Sequence, residues 1–307
     1  MQLTGFIRQL NASPDSNLIR FETTGPAVWF KAVGKRNLRE FFVTIKLSEL
    51  LPAFIPEIVA IKPECQGWLA REVAGTSLGE TSDAALWEDA AARLARLQIE
   101  SIPFIETLLP AGAHDIRSHA LRSAVAPFFD LISRLMDEQP RSSPAVLGRQ
   151  ELSLIRDLID DALVTLDQQE IPAALGHMDL NPWNMIVAPH GCVFLDWAEA
   201  YVGCPFFSFE YLLQHFRRQI GASPAFESRL TLAYKRHWAQ LLSGERIDEA
   251  LSLARLIAVF AYAVGNRAWG DEQKLKDPSA AGYLRSLARR MGREAAQLSE
   301  WRPPCPA

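Results

Sequence analysis

The 307-residue chain is poor in cysteine, has no long apolar run and carries no surplus of positive charge. Its four cysteines, Cys65, Cys192, Cys204 and Cys305, are widely scattered and form no Cys-x-x-Cys pair. That spacing argues against a disulfide framework or a cysteine zinc site. Leu256 to Val264, the longest apolar stretch in the C-terminal half, is far too short to span a bilayer. The first residues, Met1-Gln-Leu-Thr-Gly-Phe-Ile-Arg, place no basic cluster before an apolar run, so they do not read as a secretory signal. A formal charge of -4 leaves no electrostatic footprint for DNA or RNA. The expectation is a protein of the reducing cytoplasm with small-molecule partners, no nucleic acid and no membrane; its oligomeric state is not readable.

What is present is ordinary for a folded globular chain: 49% hydrophobic and 22% charged residues. The length suffices for one large domain or two modest ones sharing a cleft. Thr4–Leu10, Asn17–Thr23 and Ala27–Ala32 read as short strands, the last two joined by Thr24-Gly25-Pro26. A helix is predicted over Leu38–Leu51, with Leu38, Phe41, Phe42, Ile45 and Leu50 near one face, Asn37 as N-cap, and Pro52 and Pro56 ending it. Ile58–Ile61 and Trp68–Val73 follow as strands. Beyond Gly75-Thr-Ser-Leu-Gly79, helical spacing dominates, as at Leu86, Ala90, Leu94 and Leu97, over Ala120–Met136 and over Leu152–Leu166. The chain thus divides into a small antiparallel sheet with one main helix, residues 1–75, and a larger, mostly helical region, residues 76–307: an α+β, bilobal arrangement.

One β-hairpin interrupts the helices. Met185–Ala188 and Cys192–Leu195 are apolar strands about the turn Pro189-His190-Gly191. With the turn centred on His190, Asn184 and Asp196 are each six residues away and emerge side by side at the open end. Asp179 lies five residues before Asn184, in the loop that feeds the first strand. An Asp and an Asn offer the hard oxygen ligands that magnesium prefers. A further Asp, free of metal, can accept a proton from an attacking hydroxyl. Together they are the inventory of phosphoryl transfer. A lone Asp-x-x-x-x-Asn serves turns and caps far more often; the His-x-Asp prefix, the hairpin and the terminal Asp-Trp make the combination specific.

These residues resemble the aminoglycoside phosphotransferase and choline kinase superfamily, small-molecule kinases with the protein-kinase-like fold. The family signature resembles His-Gly-Asp-Leu-His-Pro-Gly-Asn, a strand pair and Asp-Trp-Glu; here it stands as His177-Met-Asp179-Leu-Asn-Pro182-Trp-Asn184 and Asp196-Trp-Ala-Glu199. The resemblance implies transfer of a γ-phosphoryl group from ATP or GTP to a hydroxyl of a small molecule: an aminoglycoside, a choline-like compound, an amino-alcohol or a sugar. It implies Asp179 as the catalytic base, Asn184 and Asp196 as Mg2+ ligands, and His177 as a structural group. More weakly it extends from about Val28 to Leu213. Trp29-Phe30-Lys31 looks like the strand whose lysine pairs with the phosphates, and Arg39-Glu40 like the helix start whose glutamate holds it. Glu40 can equally complete a capping box with Asn37, and Glu49 competes for the lysine. Leu69-Ala-Arg-Glu72-Val73-Ala-Gly75 resembles the hinge whose backbone at Glu72 and Val73 binds the base.

Four departures stand out. The segment Asn11-Ala-Ser13-Pro-Asp-Ser16-Asn17, expected over the phosphates, contains no glycine, so the hydroxyls of Ser13 and Ser16 and the backbone N–H groups must serve. Met178 and Trp183 replace glycines of the signature, and Cys204 and Ser208 stand where carboxylates brace the loop in the family. These changes favour an alternative, a catalytically silent nucleotide-binding protein; a nucleotidyl-transfer reaction is a further rival. For the acceptor, Glu199, Glu210, Asp271 and Glu272 are candidates to attract a cation. Trp238, Tyr262 and Trp269 can box a quaternary ammonium, although core packing is the commoner fate of such residues.

Overall fold

The computed structural model describes residues 2–221, 223–265 and 268–300, with the side chains of Ala268, Glu272, Ser299 and Glu300 left out. Cys305 and the acidic side chain of Glu272 therefore lie outside the described residues. The elements run β1 (Leu3–Ser13), β2 (Ser16–Thr23), β3 (Val28–Val33), α1 (Leu38–Leu50), β4 (Ile58–Lys62), β5 (Gly67–Arg71), β6 (Thr76–Ser77), α2 (Ala84–Ser101), α3 (Ile105–Ala111), β7 (His114–Ile116), α4 (Ser118–Asp137), α5 (Arg149–Gln168), β8 (Ala174–His177), β9 (Met185–Ala188), β10 (Gly191–Phe194), β11 (Ala200–Gly203), α6 (Phe206–Gln219), α7 (Pro224–Trp238), α8 (Gly244–Gly265), α9 (Glu272–Leu275) and α10 (Pro278–Glu300). The mixed α+β class is as expected. No helix among the described residues is long and apolar enough to cross a membrane.

Two compact units emerge: Met1–His114 with Ala174–Val202 and Tyr211–Gln240, and Asp115–Ala173 with Gly203–Glu210 and Leu241–Ala307. The first unit takes in the β9–β10 hairpin and α2 as well as the N-terminal sheet.

In the first unit a five-stranded antiparallel sheet has the order β1-β2-β3-β5-β4. The β2–β3 turn is set locally: the Thr23 hydroxyl accepts from Gly25 N–H at 3.0 Å and donates to the Pro26 carbonyl at 2.9 Å. Helix α1 seals one face of the sheet. Phe41 packs there with Val33, Trp68 and Ala70, flanked by Ile45 and Ile58. Phe42, expected on the apolar face, is 50% exposed. Consecutive helical residues point about 100° apart, and the buried set Glu40, Phe41, Val43, Thr44 and Leu47 leaves Phe42 outside. Asn37 does precede the helix, but its side chain makes no cap; it donates instead to the Asp15 carbonyl at 3.3 Å. The second unit is built from α4, α5, α8 and α10 around an aromatic cluster in which Phe128 meets Phe129 and Phe260 edge-on, at 5.6 Å in both cases.

Candidate functional site

Strands β9 and β10 pair with Gly191 opposite Ala188 and Phe194 opposite Met185. The turn is therefore the two residues Pro189-His190, and Gly191 holds φ +117°, a left-handed conformation for which glycine is the natural residue. This corrects the expected register by one residue. Asn184 lies opposite Leu195, whose N–H donates to the Asn184 carbonyl at 2.8 Å, and Asp196 falls one position beyond. Asp196 itself takes left-handed angles, φ 61° and ψ 66°, which short polar side chains tolerate better than most. Both Asn184 and Asp196 line the same cavity of about 820 Å³ in the first unit.

In the same cavity, Lys31 of β3 bridges two carboxylates. Its ammonium pairs with Glu40 of α1 and donates to Asp196 Oδ1 at 3.1 Å. Glu40 is 2% exposed and does not complete a capping box; Glu49 pairs with Lys46 instead. One cation between two acids leaves an unequal division. Burial pushes the Glu40 carboxyl up, Lys31 pulls it down, and the neighbouring Asp196 raises it again, to about 7. For Asp196 burial also opposes ionisation, but attraction to Lys31 more than offsets it and holds the group below the usual range. Lys31 loses by burial and gains more from its two partners, so it stays cationic beyond its ordinary value.

The loop between β8 and β9 presents Asp179 as an exposed carboxylate between buried Met178 and Leu180. Asn181 Nδ2 donates to Asp179 Oδ1 at 3.1 Å; Asn184 Nδ2 donates to the Asp179 carbonyl at 3.0 Å and to Oδ2 at 3.3 Å. With its nitrogen so committed, Asn184 keeps its amide oxygen as an acceptor that a cation can use. His177 is buried, and its Nε2 donates to the Leu195 carbonyl at 3.0 Å, tying the loop to the far strand. Burial depresses its basicity, so the ring is neutral. Trp183 stays 61% exposed, with its indole lying over Gly79.

At the other end of the cavity, Glu72 N–H donates to the Ala27 carbonyl at 2.9 Å. The Glu72 carboxylate accepts from Arg20 Nε at 2.7 Å and from Trp29 Nε1 at 3.1 Å, and Val73 lines the wall beside it. The structure treats the first hairpin differently from the expectation. Strands β1 and β2 consume most of Asn11–Asn17, leaving Pro14-Asp15 as the turn. Ser13 Oγ accepts from Ser16 N–H at 3.0 Å and from Asp15 N–H at 3.3 Å, and the Ser16 hydroxyl accepts from Asn11 at 3.1 Å. Both serine hydroxyls are thus engaged within the hairpin, and neither residue lines the cavity.

Sequence reasoning assigned nothing to His114. It is buried, holds the Arg39 guanidinium against its ring, and stands 3.8 Å from Glu199. Burial raises the Glu199 carboxyl and Arg39 opposes the shift. The only signal for this cluster was Arg39 beside Glu40. Among the acceptor candidates, Trp238 is completely buried in the first unit and Glu210 is buried in the second. Trp269, half-buried, packs edge-on against Phe128 at 5.8 Å and donates to the Val264 carbonyl at 3.1 Å, and it lines a small cavity with Tyr262 and Tyr283. The Cys204 thiol is driven up to about 12 by burial, so it is neutral and supplies no charge.

No curated protein matches the sequence. Solved structures do match the fold. The choline kinase from Cryptosporidium parvum is similar over 96% of this chain and 90% of its own, at 13% identity and a TM-score of 0.64. Choline kinase LicA from Streptococcus pneumoniae is similar over 98% and 95%, at 14% identity and 0.58. The ADP-bound aminoglycoside phosphotransferase APH(2'')-Ib is similar over 95% and 94%, at 18% identity and 0.61. The fold is therefore the kinase-like one these proteins share. The family described as "Phosphotransferase enzyme family" matches residues 39–242, a span that takes in Glu40, Asp179, Asn184 and Asp196, and the chain belongs to that family.

Proposed function

We propose that the protein transfers the γ-phosphoryl group of a nucleoside triphosphate to a hydroxyl of a small molecule in the cytoplasm. The observation that carries this reading is the convergence, in one cavity, of Lys31 with its carboxylate partners Glu40 and Asp196 and of the Asn184 amide that also holds Asp179. The base would lie against the hinge, reaching the Glu72 carbonyl and the Val73 N–H, since the Glu72 N–H already serves Ala27. Lys31 would hold the phosphates, with Glu40 fixing its position. The N-terminal lobe, residues 1–75, would thus be the nucleotide-binding one and residues 76–307 the catalytic and acceptor one.

The donor set suits magnesium: one carboxylate, Asp196, and one amide oxygen, Asn184, with room left for phosphate oxygens. Those two residues would hold the ion, which when bound neutralises charge on the phosphates. Asp179, kept out of that pair by the donations from Asn181 and Asn184, accepts the proton of the acceptor hydroxyl as its oxygen attacks the γ-phosphorus; the bond to the β-γ bridging oxygen breaks and the nucleoside diphosphate leaves. Proteins of this fold include kinases named for choline, ethanolamine and an aminoglycoside phosphotransferase. Hydroxylated amines are therefore the first acceptors to try.

The test is release of ADP from Mg-ATP over a panel of aminoglycosides, choline-like amines, amino-alcohols and sugars, for the wild type and Asp179→Asn. An acceptor-dependent signal that drops by about a hundredfold or more in the variant, with nucleotide binding retained, supports the reading. Nucleotide binding without turnover for any acceptor favours the catalytically silent alternative. Release of pyrophosphate in place of ADP would indicate nucleotidyl transfer.

A further inference from the structure

The surroundings of Asp179 on the side of α6 have a chemistry of their own. From Tyr211 onward, α6 belongs to the same unit as Asp179. Its last residue, Gln219, pins it there: Nε2 donates to the Gly79 and Thr81 carbonyls, at 3.1 Å in both cases. Gly79 is the residue under the Trp183 indole, and Trp183 sits in the loop that joins Asp179 to β9. The end of α6 is thereby held beside the loop that carries the base. Three basic side chains stand on its last stretch: His215, Arg217 and Arg218. Arg217 is taken up by Glu227 of α7, to which its Nε donates at 2.9 Å. His215 and Arg218 are three residues apart and so share one face of the helix. Neither makes a hydrogen bond or an ion pair among the described residues. His215 is half-buried and Arg218 is exposed. The charge of Asp179 reaches His215: burial and Arg218 lower the basicity of the ring, and Asp179 opposes them. The acid nearby, Glu199, is answered by the Arg39 charge and stands 3.8 Å from His114.

We infer that His215 and Arg218 form an anion site for the acceptor, and that the acceptor is a hydroxy acid, a small molecule whose carboxylate lies a few bonds from the hydroxyl to be phosphorylated. The inference rests on the proposed phosphoryl transfer with Asp179 as base. Such an acceptor carries negative charge toward Asp179 and a triphosphate, and repulsion keeps it out unless a cation meets it. The Arg218 guanidinium has the planar fork that matches a carboxylate, and the His215 ring supplies a second donor. Toward an ammonium-bearing acceptor the same guanidinium is repulsive, so this pair attracts acids and rejects amines at once. The reaction itself is unchanged. The acceptor hydroxyl gives its proton to Asp179, its oxygen bonds to the γ-phosphorus, and the nucleoside diphosphate leaves.

The experiment measures kcat and KM for ADP release from Mg-ATP with two matched series: glucuronate, glucose and glucosamine, and glycerate, glycerol and aminopropanediol. The full chain is compared with Arg218→Glu and His215→Gln, and Mg-ATP binding is followed by calorimetry in the same samples. In at least one series the wild type should favour the acid over both the neutral compound and the amine by about tenfold or more in kcat/KM. Arg218→Glu should lower the acid-to-neutral ratio by at least about tenfold, mainly through KM, and should move the preference toward the amine. His215→Gln should lower the same ratio by a smaller factor. Equal or faster use of the neutral compound or the amine by the wild type overturns the anion site and leaves phosphoryl transfer standing. A ratio unchanged in both folded variants overturns the assignment to these two residues. Bound Mg-ATP with neither acid phosphorylated also overturns the anion site. Failure to bind Mg-ATP at all overturns the phosphotransferase reading, and this inference with it.

Discussion

Two hairpins of the first unit were both expected to meet the phosphates, and they are built in opposite ways. The β9–β10 hairpin is tied to its surroundings by three bonds at its open end: Leu195 N–H on Asn184, His177 on Leu195, Asn184 on Asp179. In the β1–β2 hairpin, by contrast, every residue of the first strand is exposed, and the tip serines bond only within the hairpin. Burial and redundant hydrogen bonding fix side chains to the precision that metal and proton chemistry require. A cover over phosphates can instead work through backbone N–H groups, which any sequence supplies. On the proposed function, chemistry would be specified residue by residue in one hairpin, while in the other only the shape would matter.

That contrast can be broken most sharply at Asp196. Asp196→Ala should lower acceptor-dependent turnover by at least about a hundredfold, the scale for removing one charge-stabilising group, while Lys31 keeps Glu40 and the protein keeps its melting temperature within a few degrees. Full turnover in a folded Asp196→Ala would move the metal site elsewhere.

The next effect is on stability and its pH dependence. Because the Glu40 carboxyl titrates near 7 in the folded chain and near 4.5 when unfolded, the folded state binds the extra proton between those values. Stability from this group is complete below about pH 4.5 and is lost as pH rises through 7, by about 3 kcal/mol at most on the relation of 1.36 kcal/mol per unit. Urea denaturation of the wild type and Glu40→Gln from pH 5 to 8 should show the variant flatter across that window. Parallel curves would place the proton on another group.

Smaller again is Arg20→Ala, which strips the Glu72 carboxylate of its guanidinium at a partly exposed position and should cost about 1 kcal/mol or less, read as a shifted urea midpoint with unchanged slope. Smallest of all is Ser13→Ala. If the first hairpin acts through its backbone, nucleotide affinity should change by no more than about threefold, or roughly 0.6 kcal/mol. A tenfold loss would show that its hydroxyl does meet the phosphates and would erase the contrast between the hairpins.

The strand and helix sequence of the first unit was legible because β-branched and aromatic runs, Thr24-Gly25-Pro26 and the prolines after α1 each act locally. Asp179, Asn184 and Asp196 were legible as a spacing. Their register was not: the turn contains Pro189 and His190 but excludes Gly191, and only a backbone angle decides which residues of such a triplet form the loop. Glu40 could be read as cap or as lysine partner, because Asn37 has the right chemistry for a cap; the Asp15 carbonyl, distant in sequence, took that side chain instead. His114 was invisible for the same reason, since Arg39 and Glu199 come to it from opposite ends of the unit. Trp238 and Trp269 carried no local mark of whether they would line a site or fill a core.

Trp183 has a use that its place beside Asn184 creates. Among the described tryptophans Trp68, Trp87, Trp197 and Trp238 are buried, while Trp183 is open to water at the rim of the cleft. An indole so placed emits at long wavelength and is sensitive to whatever displaces water from its face; Trp29, Trp68 and Trp197 line the same cleft, while Trp87 and Trp238 are buried away from it. The protein thus carries its own optical indicator of cleft occupancy, able to register nucleotide and acceptor arrival without any label, and to do so before a single turnover is detected.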